Sequence, residues 1–291
     1  SATLAFISGE PLPRPDDLGV EMAPYLNGLA EAASELRRAI LDALHAHQVI
    51  AIRDQKLSPE QQIAFGKRFG GLDIHISPKY KMKHHPEVLV LSNRKVDGEW
   101  VGSTKAGDEW HTDLHYRPKP SMATMLHALE VPAAGGETAF TDIYGAYDSL
   151  PEAIRERIAG LRSVNSWNRL RNKRVKISEQ HGDGKAQYDT GDPDVMHPIV
   201  RTHPATGRKA LYVSPRHTLG IEGMGEAEAE ELLQELFAHQ QRPEFIYVHK
   251  WRLGDVVIWD NRCTLHKAMG NIEPPGIRHL HRVTMTGDVP A

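Results

Sequence analysis

The sequence predicts a mainly β protein with helices at its flanks, an antiparallel sandwich or barrel. Two observations predict it. From Glu87 onward, short apolar runs of strand length alternate with turns rich in glycine and proline. Apolar residues at three- and four-residue spacing, the mark of a helix with one buried face, are confined to a few segments before and between those runs.

Residues 30–47 set Ala33, Leu36, Ile40, Leu41 and Leu44 at helical intervals, with Glu35, Arg37 and Arg38 between them. Val49-Ile50-Ala51-Ile52 follows as a short buried strand. Ser58-Pro59-Glu60-Gln61 then offers a capping serine, a proline at the first helical position and a glutamine that closes a capping box. The helix it opens stops near Phe69-Gly70-Gly71, where glycine accepts a left-handed conformation. Val88-Leu89-Val90-Leu91 reads as a strand, and Asp97-Gly98 is a hairpin turn before Glu99-Trp100-Val101. Residues 122–129 form an apolar strand ended by Pro132 and the turn Gly135-Gly136, with Glu137-Thr138-Ala139-Phe140 as the next strand. Helices are predicted over 151–161 and 226–239, and late strands over 209–213, 245–251, 255–259 and 281–286. Residues 163–197 are polar, first basic (Arg169, Arg171, Lys173, Arg174, Lys176) and then rich in glycine and aspartate. A segment of that length without periodicity is expected to be a lid insertion in a single domain spanning 1–291.

The 291 residues are 40% hydrophobic, enough for a substantial core. A net charge of -3 gives no electrostatic pull towards nucleic acid or an anionic membrane. The 17 histidines are scattered and form no storage tract. Cys263, the single cysteine, excludes an intramolecular disulfide and fits a reducing compartment. Ser1 to Phe6 lacks the basic and apolar regions of a signal peptide, and no stretch reaches the roughly 18 apolar residues of a membrane span. These features predict a soluble, cytoplasmic protein that binds neither nucleic acid nor membrane; a homo-oligomer stays open.

Trp110-His111-Thr112-Asp113 and, after the strand ending at Trp259, Asp260-Asn261-Arg262-Cys263-Thr264-Leu265-His266 carry the chemistry. On a strand, His111 and Asp113 point the same way, and His115 shares that face as a competitor. His266 is expected just past the end of its strand. Two imidazoles and a carboxylate hold a ferrous ion on one face and leave the other open. Arg278 and Arg282 follow, and arginine grips carboxylates at two points. An isolated H-x-D is common by chance, a lone histidine is more often a core residue, and a lone arginine is usually solvated. Their joint occurrence points to an oxygenase that consumes a 2-oxo acid. Trp110 and Trp259 are expected in the core, and Cys263 as a buried residue at a strand end.

At this point the chain resembles the taurine and 2,4-dichlorophenoxyacetate dioxygenase family. The resemblance rests on Gln61-Gln62-Ile63-Ala64-Phe65 with Arg68-Phe69-Gly70, on Trp110-His111-Thr112-Asp113 and on Gly135-Gly136-Glu137-Thr138. It continues in order through Arg201-Thr202-His203-Pro204, Gly207-Arg208-Lys209, Trp259-Asp260-Asn261-Arg262 and His281-Arg282. The resemblance implies a double-stranded β-helix (jelly-roll) core and an enzyme using Fe(II), 2-oxoglutarate and O2. It implies His111, Asp113 and His266 as iron ligands, and Thr138 and Arg278 as the binding pair for 2-oxoglutarate. Arg282 is implied as the partner of an anionic prime substrate, with His75, Tyr80, His115 and His217 as further candidates on that side. Where taurine-specific members carry an asparagine, this chain has Gly107; where they carry a phenylalanine, it has His217; and the tyrosine spacing around His75 is absent. The implied reaction is hydroxylation of a small organic anion, a carboxylate, sulfonate or sulfate ester, with release of succinate and CO2. Three alternatives stand beside it: the same chemistry on an N-substituted amino acid in a biosynthetic pathway, a metal-dependent hydrolase using the same ligands, and a non-catalytic metal sensor.

Overall fold

Helix α1, Met22–His47, begins earlier than the apolar periodicity announces and ends where Gln48 turns left-handed at φ 63°. Strand β1, Val49–Ile52, follows it. The computed structural model describes residues 22–75, 79–104, 107–167 and 193–291, with side chains from residue 34. The chain divides into two compact units, Ser1–Ile50 and Ala51–Ala291, each taken by itself. Residues 168–192, which hold the basic run and the middle of the expected lid, lie outside the described residues.

The second unit opens with α2, Pro59–Lys67, whose capping box forms as the sequence predicts. Gln61 N–H donates to Ser58 Oγ at 3.2 Å, and Ser58 N–H donates to Gln61 Oε1 at 2.8 Å. Gln62, buried on this helix, donates from Nε2 to the carbonyl of His281 at 3.0 Å and so fixes the helix against the sheet below.

The strands are β2 (Lys81–Met82), β3 (His85–Ser92), β4 (Lys95–Val96), β5 (Glu99–Trp100), β6 (Ser121–Glu130), β7 (Thr138–Asp142), β8 (Arg162–Asn165), β9 (Val195–Pro198), β10 (Val200–Thr202), β11 (Lys209–Leu211), β12 (Thr218–Ile221), β13 (Ile246–His249), β14 (Val256–Asp260), β15 (Thr264–Ala268) and β16 (His279–Thr286). Helices α3 (Ile143–Asp148), α4 (Glu152–Ile158) and α5 (Glu226–Gln240) flank them. The predicted mainly β class with flanking helices is what the chain adopts. A large antiparallel sheet runs β14-β6-β16-β3-β2, and a smaller one runs β13-β7-β15. The chain passes from the first sheet to the second twice, between β6 and β7 and between β14 and β15. Side chains of the two sheets meet: Phe140 of β7 and Trp259 of β14 pack edge to face at 5.4 Å.

Differences from expectation have local causes. The ends of segment 163–197 are strands, because β8 pairs with β9 and β12 and buries Ser163, Asn165 and His197. The helix expected over 151–161 is confined to Glu152–Ile158, since Gly160 (φ 77°) ends it. Helix α3, not expected, is capped by Asp142, whose carboxylate accepts from Tyr144 N–H at 2.9 Å. His266 lies inside β15 and not past a strand end, because the turn at 261–263 starts a new strand. Trp110, Trp259 and Cys263 are buried as expected. Among the described residues no helix is long and apolar enough to cross a membrane.

Candidate active site

His111 enters the smaller sheet through an isolated antiparallel bridge to His266. His111 N–H donates to the His266 carbonyl at 3.1 Å and receives the reverse bond at 2.7 Å. The bridge brings residues far apart in the chain together, and the two imidazole rings lie 4.1 Å apart. Asn261 then sets the carboxylate. Its Oδ1 accepts from Asp113 N–H at 3.2 Å, Thr112 Oγ1 at 3.2 Å and Trp259 Nε1 at 3.0 Å. Its Nδ2 donates to Thr124 Oγ1 at 2.9 Å, and Thr124 in turn donates to Asp113 Oδ2 at 2.6 Å. The outcome is one cluster in which the ligand atoms of His111, Asp113 and His266 all lie within 4.8 Å of one another, each residue buried.

The expected strand over His111 to His115 is replaced by a bridge and a turn. Leu114 adopts φ 59°, which rotates the following residue off the ligand face. His115 therefore stands outside the ligand cluster; it packs against Tyr212 at 4.6 Å and His197 at 5.2 Å. Neither of its ring nitrogens has a hydrogen-bond partner among the described residues.

The donors suit a divalent cation. Burial, aided by the neighbouring His266, holds His111 well below the usual imidazole pKa, and burial brings His266 down to about 4. Both rings are thus neutral at pH 7, with lone pairs available. His111 Nδ1 lies 2.8 Å from the Glu109 carbonyl, which fixes the proton there and leaves Nε2 to face Asp113 at 3.8 Å. His266 Nε2 is also 3.8 Å from Asp113. Burial alone would push the Asp113 carboxyl up, but the Arg282 guanidinium, with the hydrogen bond from Thr124, outweighs it and keeps Asp113 ionised.

Two cavities share this cluster. The first is lined by His111, His266, Thr138, Trp259, Arg278 and Arg282 among others. Arg278 Nη2 donates to Thr138 Oγ1 at 3.3 Å, yet no carboxylate of the described residues pairs with Arg278 and its Nε is unsatisfied. Burial pulls its pKa down to about 10. A desolvated cation without a counter-ion is costly, and the cavity is where an anion would relieve it. Trp251 Nε1 also donates to Thr138 Oγ1, at 3.0 Å. With both oxygen lone pairs taken, the Thr138 hydroxyl can only donate, which suits a carboxylate acceptor. Gly136 (φ 75°) makes room, since a Cβ there would stand 3.0 Å from Arg278 Cδ.

The second cavity is lined by His75, Tyr80, Asp113, Tyr116, Trp167, Arg216, His217 and Arg282 among others. Arg282 reaches Asp113 Oδ1 through Nη1 at 3.3 Å, while its Nε is unpaired among the described residues. Of the residues the sequence assigned to this side, Arg282, His75, Tyr80 and His217 line the cavity and His115 does not. Arg216, which forms an ion pair with Asp108 at 3.1 Å, and the tilted ring pair Tyr116 and Trp167 at 4.9 Å went unassigned. The adjacency of Arg216 to His217 was the one signal for the former. Gly107 borders both cavities at φ 79°, and a Cβ there would lie 3.1 Å from His111 Cε1. A side chain at this position, such as the asparagine of taurine-specific enzymes, would press on the His111 ring.

The family described as "Taurine catabolism dioxygenase TauD, TfdA family" matches residues 9–284. An alpha-ketoglutarate-dependent 2,4-dichlorophenoxyacetate dioxygenase of Burkholderia sp. (strain RASC) is 33% identical over 86% of this chain and 85% of its own length. An (S)-phenoxypropionate/alpha-ketoglutarate-dioxygenase of Sphingobium herbicidovorans is 35% identical over 76% of each. Among solved structures, AAD-2 in complex with Mn(II) and N-oxalylglycine superposes with a TM-score of 0.71 at 30% identity, over 87% of this chain and 90% of that one.

Proposed function

From the premise that this chain belongs to the TauD/TfdA family of Fe(II)- and 2-oxoglutarate-dependent dioxygenases, we propose that it hydroxylates a small organic anion with an aromatic or apolar body. The core is, on this reading, a double-stranded β-helix, which the two antiparallel sheets linked by crossings at 131–137 and 261–263 support. His111, Asp113 and His266 would hold the iron, and Thr138 with Arg278 would hold the far carboxylate of 2-oxoglutarate. Bound there, iron with 2-oxoglutarate and O2 supplies an oxidant for an unactivated C–H bond, and succinate and CO2 leave.

The residues of the chain bind, orient and shield. Asn261 and Thr124 keep Asp113 turned to the cluster, and Glu109 keeps the His111 lone pair on it. Arg282 and Arg216 give the second cavity a positive end, while Tyr80, Tyr116 and Trp167 give it aromatic walls. A carboxylate, sulfonate or sulfate ester at the arginines would lay its organic body along the rings with a C–H bond over the cluster. The juxtaposition of cationic end and aromatic wall is the observation that carries this substrate class. Family membership sets the hydrolase and sensor alternatives aside, and both leave Thr138 and Arg278 without a purpose.

The test is substrate-dependent succinate release across a panel of aryloxyalkanoates, alkyl sulfonates, sulfate esters and N-alkyl amino acids. Aryl carboxylates should couple best and taurine poorly. Stronger coupling by an uncharged aromatic than by any anion in the panel would overturn the anion reading.

A further inference from the structure

A row of aromatic rings leads from the metal cluster to the surface. His266 and Trp259 lie 4.7 Å apart between ring centroids, Trp259 and Phe140 5.4 Å, and Phe140 stacks on Tyr247 at 6.3 Å with planes 21° apart. Trp259 and Phe140 are each 1% exposed, whereas Tyr247 on β13 is 50% exposed. The row therefore begins at a candidate iron ligand and ends in solvent.

Its outer end is equipped to lose a proton. Tyr247 Oη is 3.1 Å from His249 Nδ1, and His249 Nε2 is 3.1 Å from Asp255 Oδ2. Asp255 is fully buried and also accepts from Arg53 Nη1 and from Arg252 N–H. A carboxylate held by those donors accepts a hydrogen bond from His249 Nε2–H, so the Nδ1 lone pair faces the phenol. A phenol with a built-in proton acceptor gives up an electron far more readily than one facing only water, because the cation radical never has to form. An ordinary tyrosine on a sheet face needs no such support.

We propose that Trp259, Phe140 and Tyr247 form a conduit that drains oxidising equivalents from the iron site to the surface when no substrate C–H bond is in reach. The proposal rests on reading His111, Asp113 and His266 as the iron site. One electron passes from Tyr247 through the rings and reduces that site by one equivalent, while the phenolic proton moves to His249 Nδ1. The product is a neutral tyrosyl radical next to an imidazolium paired with Asp255. A one-electron donor of the enediol or thiol class in solution then returns the electron, and His249 returns the proton; a second pass of the same kind removes the other of the two oxidising equivalents, the site taking up its protons from solvent. Residues around the cluster are thereby spared oxidation during turnover without substrate.

The experiment loads the enzyme anaerobically with Fe(II) and 2-oxoglutarate, mixes it with O2 without prime substrate, and freezes samples for electron paramagnetic resonance. Succinate and peptide masses are measured on the same mixture. A tyrosyl radical signal should form, and oxidised product should collect on the Tyr247 peptide. Both should disappear in Tyr247→Phe, a variant of an exposed residue that keeps the ring stacked on Phe140, and oxidation should shift inward to Trp259. An undiminished radical signal in Tyr247→Phe, or oxidation of Tyr80 and Tyr116 in the parent enzyme with Tyr247 intact, would overturn the conduit while succinate still upholds the iron site. If no succinate appears with any addition, the iron-site reading fails and the conduit fails with it.

Discussion

Arg278 and Arg282 are four residues apart, yet their surroundings give them different tasks. Arg278 is a cation pulled out of water, with the Thr138 hydroxyl as its side-chain hydrogen-bond partner and the Trp251 ring beneath it among the described residues, so an incoming carboxylate would supply the counter-charge the fold withholds. Truncating one partner of a desolvated charge pair costs about 2–5 kcal/mol. Arg278→Ala should therefore raise the 2-oxoglutarate requirement by a factor of tens or more, measured as the concentration giving half-maximal succinate release. Unchanged cosubstrate affinity in that variant would dismiss the assignment. Arg282 already leans on Asp113 at 3.3 Å, and a substrate anion on the proposed reading would share it. Arg282→Lys keeps the charge and loses the two-point grip, so prime-substrate binding should weaken about tenfold or more while 2-oxoglutarate binding holds. If both ligands weaken together, Arg282 is serving the cluster through Asp113 and not the substrate. The sequence pattern named both arginines and Thr138, but it could not show that Arg216 shares the second cavity with Arg282, because that depends on where the loop before β12 folds.

Among the elements, β8 and β9 carry the most consequence. They close the ends of segment 163–197 and bury His197, 2% exposed, with Nε2 shared between the carbonyls of His115 and Arg117 at 3.0 Å each. Burial pushes the pKa of His197 down to about 4, and burial does the same to His281 on β16. An unfolded histidine titrates near 6.5, so between those values the unfolded chain binds more protons than the fold. The stabilisation is complete above pH 6.5 and is lost as pH falls towards 4. Each of the two histidines should remove about 2 kcal/mol of stability between pH 7 and pH 5. Denaturant midpoints of the metal-free protein at the two pH values measure it, and His197→Asn should flatten the slope; a flat profile in the parent protein contradicts the argument. The helix starts were legible in the sequence, as the Ser58 capping box shows, since a cap is a local event of a few residues. Strands β8, β9 and β12 were not, because a three- or four-residue strand has no periodicity to read and exists only through its partners.

At the scale of the whole second unit, the candidate iron site joins pieces that are separate in sequence: the bridge residue His111, the turn at Asp113 and strand β15. A metal bound by all three stabilises the folded state over the unfolded one. At a free metal concentration about a hundred times Kd the gain is about 2.7 kcal/mol. Melting temperature should therefore rise by a few degrees when Mn(II) or anaerobic Fe(II) is added and return with a chelator. Asp113→Ala should abolish the rise, and His115→Ala should retain it. A metal-induced shift that survives Asp113→Ala would place the cation elsewhere.

Read alone, the sequence determined the chemistry. Histidine, aspartate, threonine and arginine at those spacings are functional groups whose affinity for iron and carboxylates belongs to the side chains themselves, and the order of motifs along the chain carried the family. Tertiary structure decided the geometry. His115, grouped with His111 and Asp113 by an alternating strand pattern, is turned away by the positive φ of Leu114. Asn261, one polar letter in the sequence, becomes the hub that joins Thr112, Asp113, Trp259, Ser121 and Thr124. The row from His266 to Tyr247 draws its rings from β15, β14, β7 and β13, and no window of the sequence contains it. Spacing along a strand reports direction only while the backbone stays regular, and contacts between sheets exist only once both sheets have formed.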